Sequence, residues 1–372
     1  MALAYFIYVL SMLLMLAASF SYSRYVDGVA IGRRDVRQLL FPFISVAIVS
    51  ILMANRYEVG TDWESYKYIF ESYSTIYNTT FKSTLTNERI EPLYSVLNFV
   101  IARSGGSYQL LLFIVMAVHL TLLMSMCKVF PSYSPLIVFF YFAVLFLSTL
   151  NIHRQTMAIC IFFVSLKYLK DNKVSKYYFW SIVACLFHYS SIVILLVPLL
   201  RLKLFRFLDN RYISLGLYVA GFFLGHFLTD IIVTYLPMLT DNAKYNSTLG
   251  NLEHAHEYSS GLGLLFYKVL DVLLIFNFSK FTQRGLSVYS RTFLVGSVVA
   301  NAFANSMFLA RVALPLTSVK IFLLAIMISD SLKGNKMTIR KLVAIGIIIF
   351  TFLGFFMNIA NHNSGCSPFQ FI

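Results

Sequence analysis

The chain has 372 residues, of which 59% are hydrophobic and 12% charged, with a mean hydropathy of +0.74. A soluble globular domain carries about 25% charged residues, so the composition excludes one and points to a protein that crosses a membrane many times. The net charge of +14 does not indicate nucleic acid, because the basic residues fall mostly in loops between apolar runs, as the positive-inside rule requires, and no nucleic-acid-binding motif is present.

Apolar runs of about 20 residues recur without strict alternation, which predicts α-helical spans and not a barrel. The first expected span is Ala2 to Ser21. Its basic residues (Arg24, Arg33, Arg34, Arg37) follow it, so it reads as a retained span and not a cleaved signal. Gln38 to Asn55 is the second. A polar excursion, Arg56 to Ser107, then holds Glu58, Asp62, Glu64, Glu71, Glu88 and Glu91. Its last part, Pro92 to Ala102, is apolar on more than one face and predicts a helix at the membrane interface. Tyr108 to Cys127 and Pro135 to Leu150 are the third and fourth spans, and the turn Asn151 to Gln155 leads into the fifth. After the segment Tyr178 to Leu200 come spans at Tyr212 to Leu236, Gly261 to Phe278 and Thr292 to Phe308. Two more follow, one ending near Asp330 and one at Leu342 to Asn358. The four cysteines, Cys127, Cys160, Cys185 and Cys366, form no CxxC pair, so neither a disulfide framework nor a metal site is expected.

Tyr178 to Leu200 decides the topology. It is long enough to cross once, yet Lys167, Lys170, Lys173 and Lys176 precede it and Arg201, Lys203, Arg206 and Arg211 follow. If it crosses, the later basic loops face outward and the charge asymmetry collapses. If it enters, turns at His188 and leaves on the same side, most of the 30 basic residues are cytoplasmic. The second arrangement is favoured. Two legs of about 11 residues reach roughly 16 Å each, about half the hydrocarbon core, which puts His188 near mid-depth. The expected architecture is therefore an all-α, single polytopic membrane domain over residues 1–372. It has ten full spans, a re-entrant hairpin at 178–200, outer loops at 56–107 and 237–260, and both termini outside.

With that topology, unusual polar groups gather on the outer half. Arg56, Asp62 and Tyr66 lie in NRYEVGTDWESY, and Glu91 and Tyr94 in ERIEPLY. Asn151, His153, Arg154 and Gln155 begin the fifth span, His188 tops the hairpin and Arg311 opens the span that ends near Asp330. Ionisable groups in a membrane are costly and are functional candidates by default, although Arg56 and Arg154 could equally snorkel to head groups. Arginine binds phosphate oxygens bidentately and keeps its charge, so several guanidinium groups on one cavity suit an anionic ligand. A histidine at the same depth suits a general base. His119 and His226 read as packing histidines. Lys268 and Asp271, three apart, read as an ion pair with each other, and Lys320 has no local partner.

In order along the chain, NRYEVGTDWESY, EPLY, HRQTMA (His153 to Ala158), LFHYSS (Leu186 to Ser191), ARVALP (Ala310 to Pro315) and the terminal SPFQF resemble the signature of the EpsG/Wzy-like family of bacterial exopolysaccharide and O-antigen polymerases. The likeness covers nearly the whole chain. Phe369 stands where that family commonly has a tyrosine. The resemblance implies a GT-C-like, metal-independent glycosyltransferase without cofactor, facing the outer side of the bacterial inner membrane. Its substrates would be undecaprenyl-diphosphate-linked oligosaccharides, with a chain-length regulator as a further partner. A growing glycan would pass from its lipid diphosphate to a hydroxyl of a lipid-linked repeat unit. In that reading Arg154, Arg311 and Arg56 meet the diphosphate, and His188 is the base, with Asp62 or Glu91 next in line. Tyr66, Tyr94, His153 and Gln155 are candidate substrate contacts. An O-antigen ligase shares the donor chemistry and stays open as an alternative. A lipid-linked oligosaccharide flippase also stays open, although no internal repeat is visible.

Overall fold

The computed structural model describes all residues except 31–34, 76–83, 85–89, 240–261, 305–306 and 335. Among the described residues the protein is all-helical, and its one extended pairing is an isolated antiparallel bridge between Arg56 and Phe371. The chain forms two compact units, residues 1–192 with 324–372, and residues 193–323.

The first unit contains α1 (Ala2–Ala30), α2 (Arg37–Ala54), α3 (Trp63–Thr75), α4 (Pro92–Arg103) and α5 (Tyr108–Val129). Then come α6 (Ser134–Tyr141), prolonged by a π turn over Phe142–Phe146, α7 (His153–Lys170) and α8 (Val174–Phe187). The second unit contains α9 (Arg211–Leu239), α10 (Leu262–Phe276), α11 (Phe278–Gln283), α12 (Ser287–Ala302), α13 (Met307–Thr317) and the start of α14 (Lys320–Leu332); α15 (Ile339–Ala360) belongs to the first unit again.

Ten full spans were expected from hydropathy. Among the described residues, 6 helices are long and apolar enough to cross: Ala2–Gly28, Arg37–Ala54, Tyr108–Val129, Pro131–Thr149, Ala310–Leu332 and Ile339–Ala360. The fifth expected span, α7, carries Arg154, Lys167 and Lys170. The expected spans at Gly261 to Phe278 and Thr292 to Phe308 are shorter helices, α10 and α12, with 15 and 16 residues. In the segment Tyr178 to Leu200, α8 ends at Phe187, His188 is extended (φ −158, ψ 114), and a 3-10 run continues over Tyr189–Arg201. The 14 residues of α8 reach about 21 Å, less than a hydrocarbon core of about 30 Å.

The first unit is built around α7. From Gln155 to Leu166 every residue is buried, as expected of a helix that belongs inside a bundle and not on its surface. It packs against α5 and α8. His119 of α5 sits in this contact with both ring nitrogens occupied, Nδ1 by the Val115 carbonyl (2.8 Å) and Nε2 by Thr156 Oγ1 (3.0 Å). The side chain of His226 lies outside the described residues.

The chain just before α7 is held from two sides. Gly60, at φ +103, lies so close to α6 that a Cβ there would come within 2.5 Å of the Leu150 carbonyl oxygen. Thr61 Oγ1 and the Asp62 N–H both donate to Asn151 Oδ1, at 2.7 and 2.9 Å. On the other side the C-terminal tail is laid along the same loop. The Gly60 N–H donates to the Gly365 carbonyl (2.9 Å), that of Tyr57 to Gln370 (2.9 Å), and that of Ile372 to Asn55 (3.0 Å). Phe369 is buried edge-on against Tyr8, with centroids 5.5 Å apart. Gly60→Ala is therefore expected to destabilise the protein by about 1–3 kcal/mol, from backbone strain and the clash together. A thermal melt in detergent measures it, and an unchanged midpoint would contradict this packing.

In the second unit, Gly296 of α12 brings that helix against α13, where a Cβ would meet Leu316 Cβ at 2.6 Å. Arg291 makes a two-pronged contact with the Asp209 carboxylate, at 2.8 and 2.5 Å, and donates to the Leu200 carbonyl at 2.6 Å. One expectation from spacing is overturned here. Asp271 pairs with Lys320 (3.4 Å), and Lys268 instead donates to Asn301 Oδ1. Helical spacing permits the i, i+3 contact, but the buried Asp271 is turned toward the neighbouring helix.

Candidate active site

The local sequence explains how the first unit's polar groups converge. In α3 the residues Trp63, Tyr66, Phe70 and Tyr73 recur at helical spacing and are all buried, a single apolar stripe that carries Tyr66 inward. Glu91 precedes Pro92, which disfavours helical backbone at Glu91 and suits the first helical position itself. Glu91 is accordingly extended (φ −62, ψ 142) and caps α4. In α4 the buried set Tyr94, Asn98 and Ile101 again marks one face. The two helices are tied by a hydrogen bond between Tyr73 Oη and Ser95 Oγ (2.8 Å). His153 and Arg154 open α7 just after the clamped Asn151. His188 is placed by the end of α8, where its N–H reaches the Ala184 carbonyl (3.0 Å).

Glu91 is the centre of the arrangement. Its Oε2 accepts from Arg154 Nη1 at 2.5 Å and its Oε1 contacts His188 Nδ1 at 2.9 Å. Its side chain is 8% exposed, against 23% for Arg154 and 22% for His188. The carboxylate is thus covered and both of its partners retain an open side. Burial pushes the Glu91 carboxyl up, but the His188 hydrogen bond and the Arg154 charge outweigh it and hold the group at about 2 instead of the usual 4.5. Glu91 is an anion at every physiological pH.

An aromatic wall lies behind this trio. The Arg154 guanidinium is 5.5 Å from the Tyr66 ring and 5.7 Å from the Tyr94 ring, within the range of a cation–π contact. Tyr66 stacks on His153 with centroids 3.6 Å apart, and Tyr94 Oη bonds His153 Nε2 at 2.7 Å. Gln155 Nε2 reaches Ser190 Oγ at 3.4 Å. Of the residues singled out by sequence, Glu91, Arg154, His188, Tyr66, Tyr94 and His153 are thus joined by direct contacts, and Gln155 contacts Ser190, two residues after His188.

The others are placed differently. Arg56 is 2% exposed and donates to three backbone carbonyls, those of Val59 (3.1 Å), Met53 (3.0 Å) and Leu150 (3.3 Å). Asp62 is bound through its backbone, and its carboxylate makes no hydrogen bond or ion pair among the described residues. Arg311 lies on α13 in the second unit. Asn151, to which the sequence alone gave no role, locks the GTD loop to the start of α7; its position two residues before the HRQ motif is the signal that could have marked it. Among the described residues no group of three His, Cys, Asp or Glu side chains is placed to hold a metal ion.

The EpsG family profile matches residues 39–371 of the chain. The chain belongs to the EpsG family. EpsG proteins are membrane-embedded and of the polysaccharide-polymerase type. The match includes every element of the EpsG chain described above except α1 and the first residues of α2. No curated protein and no solved structure matches it.

Proposed function

We propose that this EpsG-family protein is a glycosyltransferase that polymerises lipid-linked repeat units at the outer face of the bacterial inner membrane. A growing glycan on undecaprenyl diphosphate is the donor and a second lipid-linked unit the acceptor. The observation that carries the reading is Glu91 bridging Arg154 and His188, because it joins a fixed cation to a base held in one orientation.

The chemistry follows from that geometry. Glu91 accepts the Nδ1 proton of neutral His188, which leaves Nε2 as the basic nitrogen. As the acceptor hydroxyl attacks the anomeric carbon, Nε2 takes its proton and the nearby carboxylate stabilises the imidazolium. The bond from the anomeric carbon to the diphosphate breaks and undecaprenyl diphosphate departs. Arg154 stabilises the charge that develops on it, an interaction stronger in the transition state than before it. Arg311 remains a candidate phosphate contact on the strength of the ARVALP motif alone, and the chemistry above does not depend on it. Arg56 is reassigned to holding the loop at Val59 and the end of α6, since its donors already serve three carbonyls. Tyr66 and Tyr94 are the sugar-facing or guanidinium-supporting wall. The hairpin turning at His188, with an outward-facing site, completes the arrangement.

The test incubates the purified full-length protein with undecaprenyl-diphosphate-linked repeat units and resolves the products as a ladder. Arg154→Ala is expected to lower elongation by on the order of 10²–10³-fold while leaving the protein folded. A wild-type ladder from Arg154→Ala would refute the diphosphate role, and no elongation by the folded wild-type protein would refute the polymerase reading.

A further inference from the structure

Four helices of the second unit bring charged and polar side chains together well inside the apolar segments. Lys268 and Asp271 lie near the middle of α10, and Tyr218 comes from α9 and Asn301 from α12. Lys320 sits half-way along the span Ala310–Leu332. Both oxygens of Asp271 are bonded: Oδ1 accepts from Lys320 Nζ at 3.4 Å and Oδ2 from Tyr218 Oη at 3.3 Å. Lys268 Nζ donates to Asn301 Oδ1, and the Asn301 amide donates in turn to the Tyr218 carbonyl at 3.0 Å. The Lys268 ammonium also lies 5.0 Å from the Phe222 ring, and that of Lys320 5.8 Å from the Tyr267 ring.

The charges do not balance. Among the described residues this cluster holds two ammonium groups and a single carboxylate, and that carboxylate bonds to Lys320. An uncompensated cation in an apolar interior is strongly disfavoured. Each ammonium has three N–H donors and commits one to a protein oxygen, so both keep donors to spend. A second feature marks the same place. The span Ala310–Leu332 is interrupted between α13 and α14, at Ser318 and Val319, immediately before Lys320. Pro315 removes a backbone donor there, and the hydroxyls of Thr317 and Ser318 turn back to the Leu314 carbonyl at 3.2 and 2.7 Å. Irregular backbone within a span is tolerated only against protein or a polar cavity, and broken spans commonly carry ion sites.

We propose that Lys268 and Lys320 form a binding site for one phosphate group, carried by a membrane lipid or free in solution. Phosphate matches the surplus: its negative charge compensates the unpaired cation, and its several acceptor oxygens take N–H donors from both lysines. A carboxylate ligand would offer two oxygens and fit less well. The site consists of residues outside the Glu91 cluster and stands whether or not the protein polymerises glycans.

Full-length protein in nanodiscs of neutral phosphatidylcholine can be presented with phosphatidylglycerol or inorganic phosphate. Retention is then read by native mass spectrometry. Each probe is tested on wild type, Lys268→Met and Lys268→Arg. Wild type is expected to retain a phosphate-bearing species and Lys268→Met to bind it on the order of ten- to a hundred-fold more weakly, the worth of a charge-assisted hydrogen bond. Lys268→Arg should bind as wild type does. Retention of a lipid probe alone assigns the phosphate to a lipid, and retention of inorganic phosphate assigns it to solution. Lys268→Met removes the surplus charge, so its ligand-free melting temperature should not fall, which separates lost binding from misfolding. Equal retention by wild type and Lys268→Met, or no retention by wild type, overturns the proposal.

Discussion

Glu91→Gln is expected to lower the rate of elongation by at least about a hundredfold, with the protein still folded. The change is nearly isosteric but removes the charge that faces Arg154 and offers His188 Nδ1 an amide in place of a carboxylate. An amide that presents its NH2 group imposes the opposite tautomer on a histidine, and general-base catalysis of this kind is worth about 10²–10⁴-fold. The same substitution has a signature in stability. The Glu91 carboxyl is held at about 2 against the usual 4.5, a difference of about 3 kcal/mol. Because the folded value is depressed, this stabilisation is present in full above pH 4.5 and is lost as pH falls through that value toward about 2. The wild-type melting temperature should therefore drop over that window more steeply than that of Glu91→Gln, as a pH series of thermal melts would show. If Glu91→Gln elongates at a third of the wild-type rate or faster, Glu91 does not orient the base.

His188→Ala is expected to be at least as severe in turnover as Glu91→Gln, and to differ in its pH profile. A general base makes activity fall on the acid side as it is protonated. The residual activity of His188→Ala should lack that limb, and added imidazole should restore part of the rate. His188 comes from the end of α8 and its backbone is already extended, so truncating the side chain leaves the local fold intact. A mild defect with an unchanged acid limb would move the base elsewhere, with the carboxylate of Asp62, which has no ion pair among the described residues, the next group to replace. These two variants also separate roles, since Glu91→Gln should disturb both the pH profile and the diphosphate dependence, and His188→Ala only the former.

Much of the site could be read from single residues. Glu91, Arg154 and His188 each stood out because an ionisable group in or beside an apolar run is costly, and Tyr66, Tyr94, His153 and Gln155 stood out as their motif neighbours. A helix was expected over Pro92 to Ala102, whereas α3 lies in what the sequence presents as a polar loop, and only the fold shows Trp63, Tyr66, Phe70 and Tyr73 as one buried stripe. Spacing could not show which candidates meet. Glu91 and Arg154 are 63 positions apart, and Glu91 and His188 are 97 apart. Their contact depends on where α4, α7 and α8 end in space. Arg56 looked from its motif like a ligand-facing cation, and only the fold revealed three carbonyls around its guanidinium. Lys268 and Asp271 looked like partners because spacing counts neighbours on one helix; burial turned Asp271 toward Lys320 on another.

Composition alone determined that this is a polytopic α-helical membrane protein, because hydropathy and charge density are sums over residues and need no geometry. The ordered motifs were enough to point to the family that the whole-chain match then established. Tertiary structure decided how the polar residues are shared out. In an apolar interior each charge must find its partner across helices, and those partners lie far apart in the chain. That requirement made Glu91 a bridge and Arg56 a brace, and it left Lys268 without a carboxylate among the described residues.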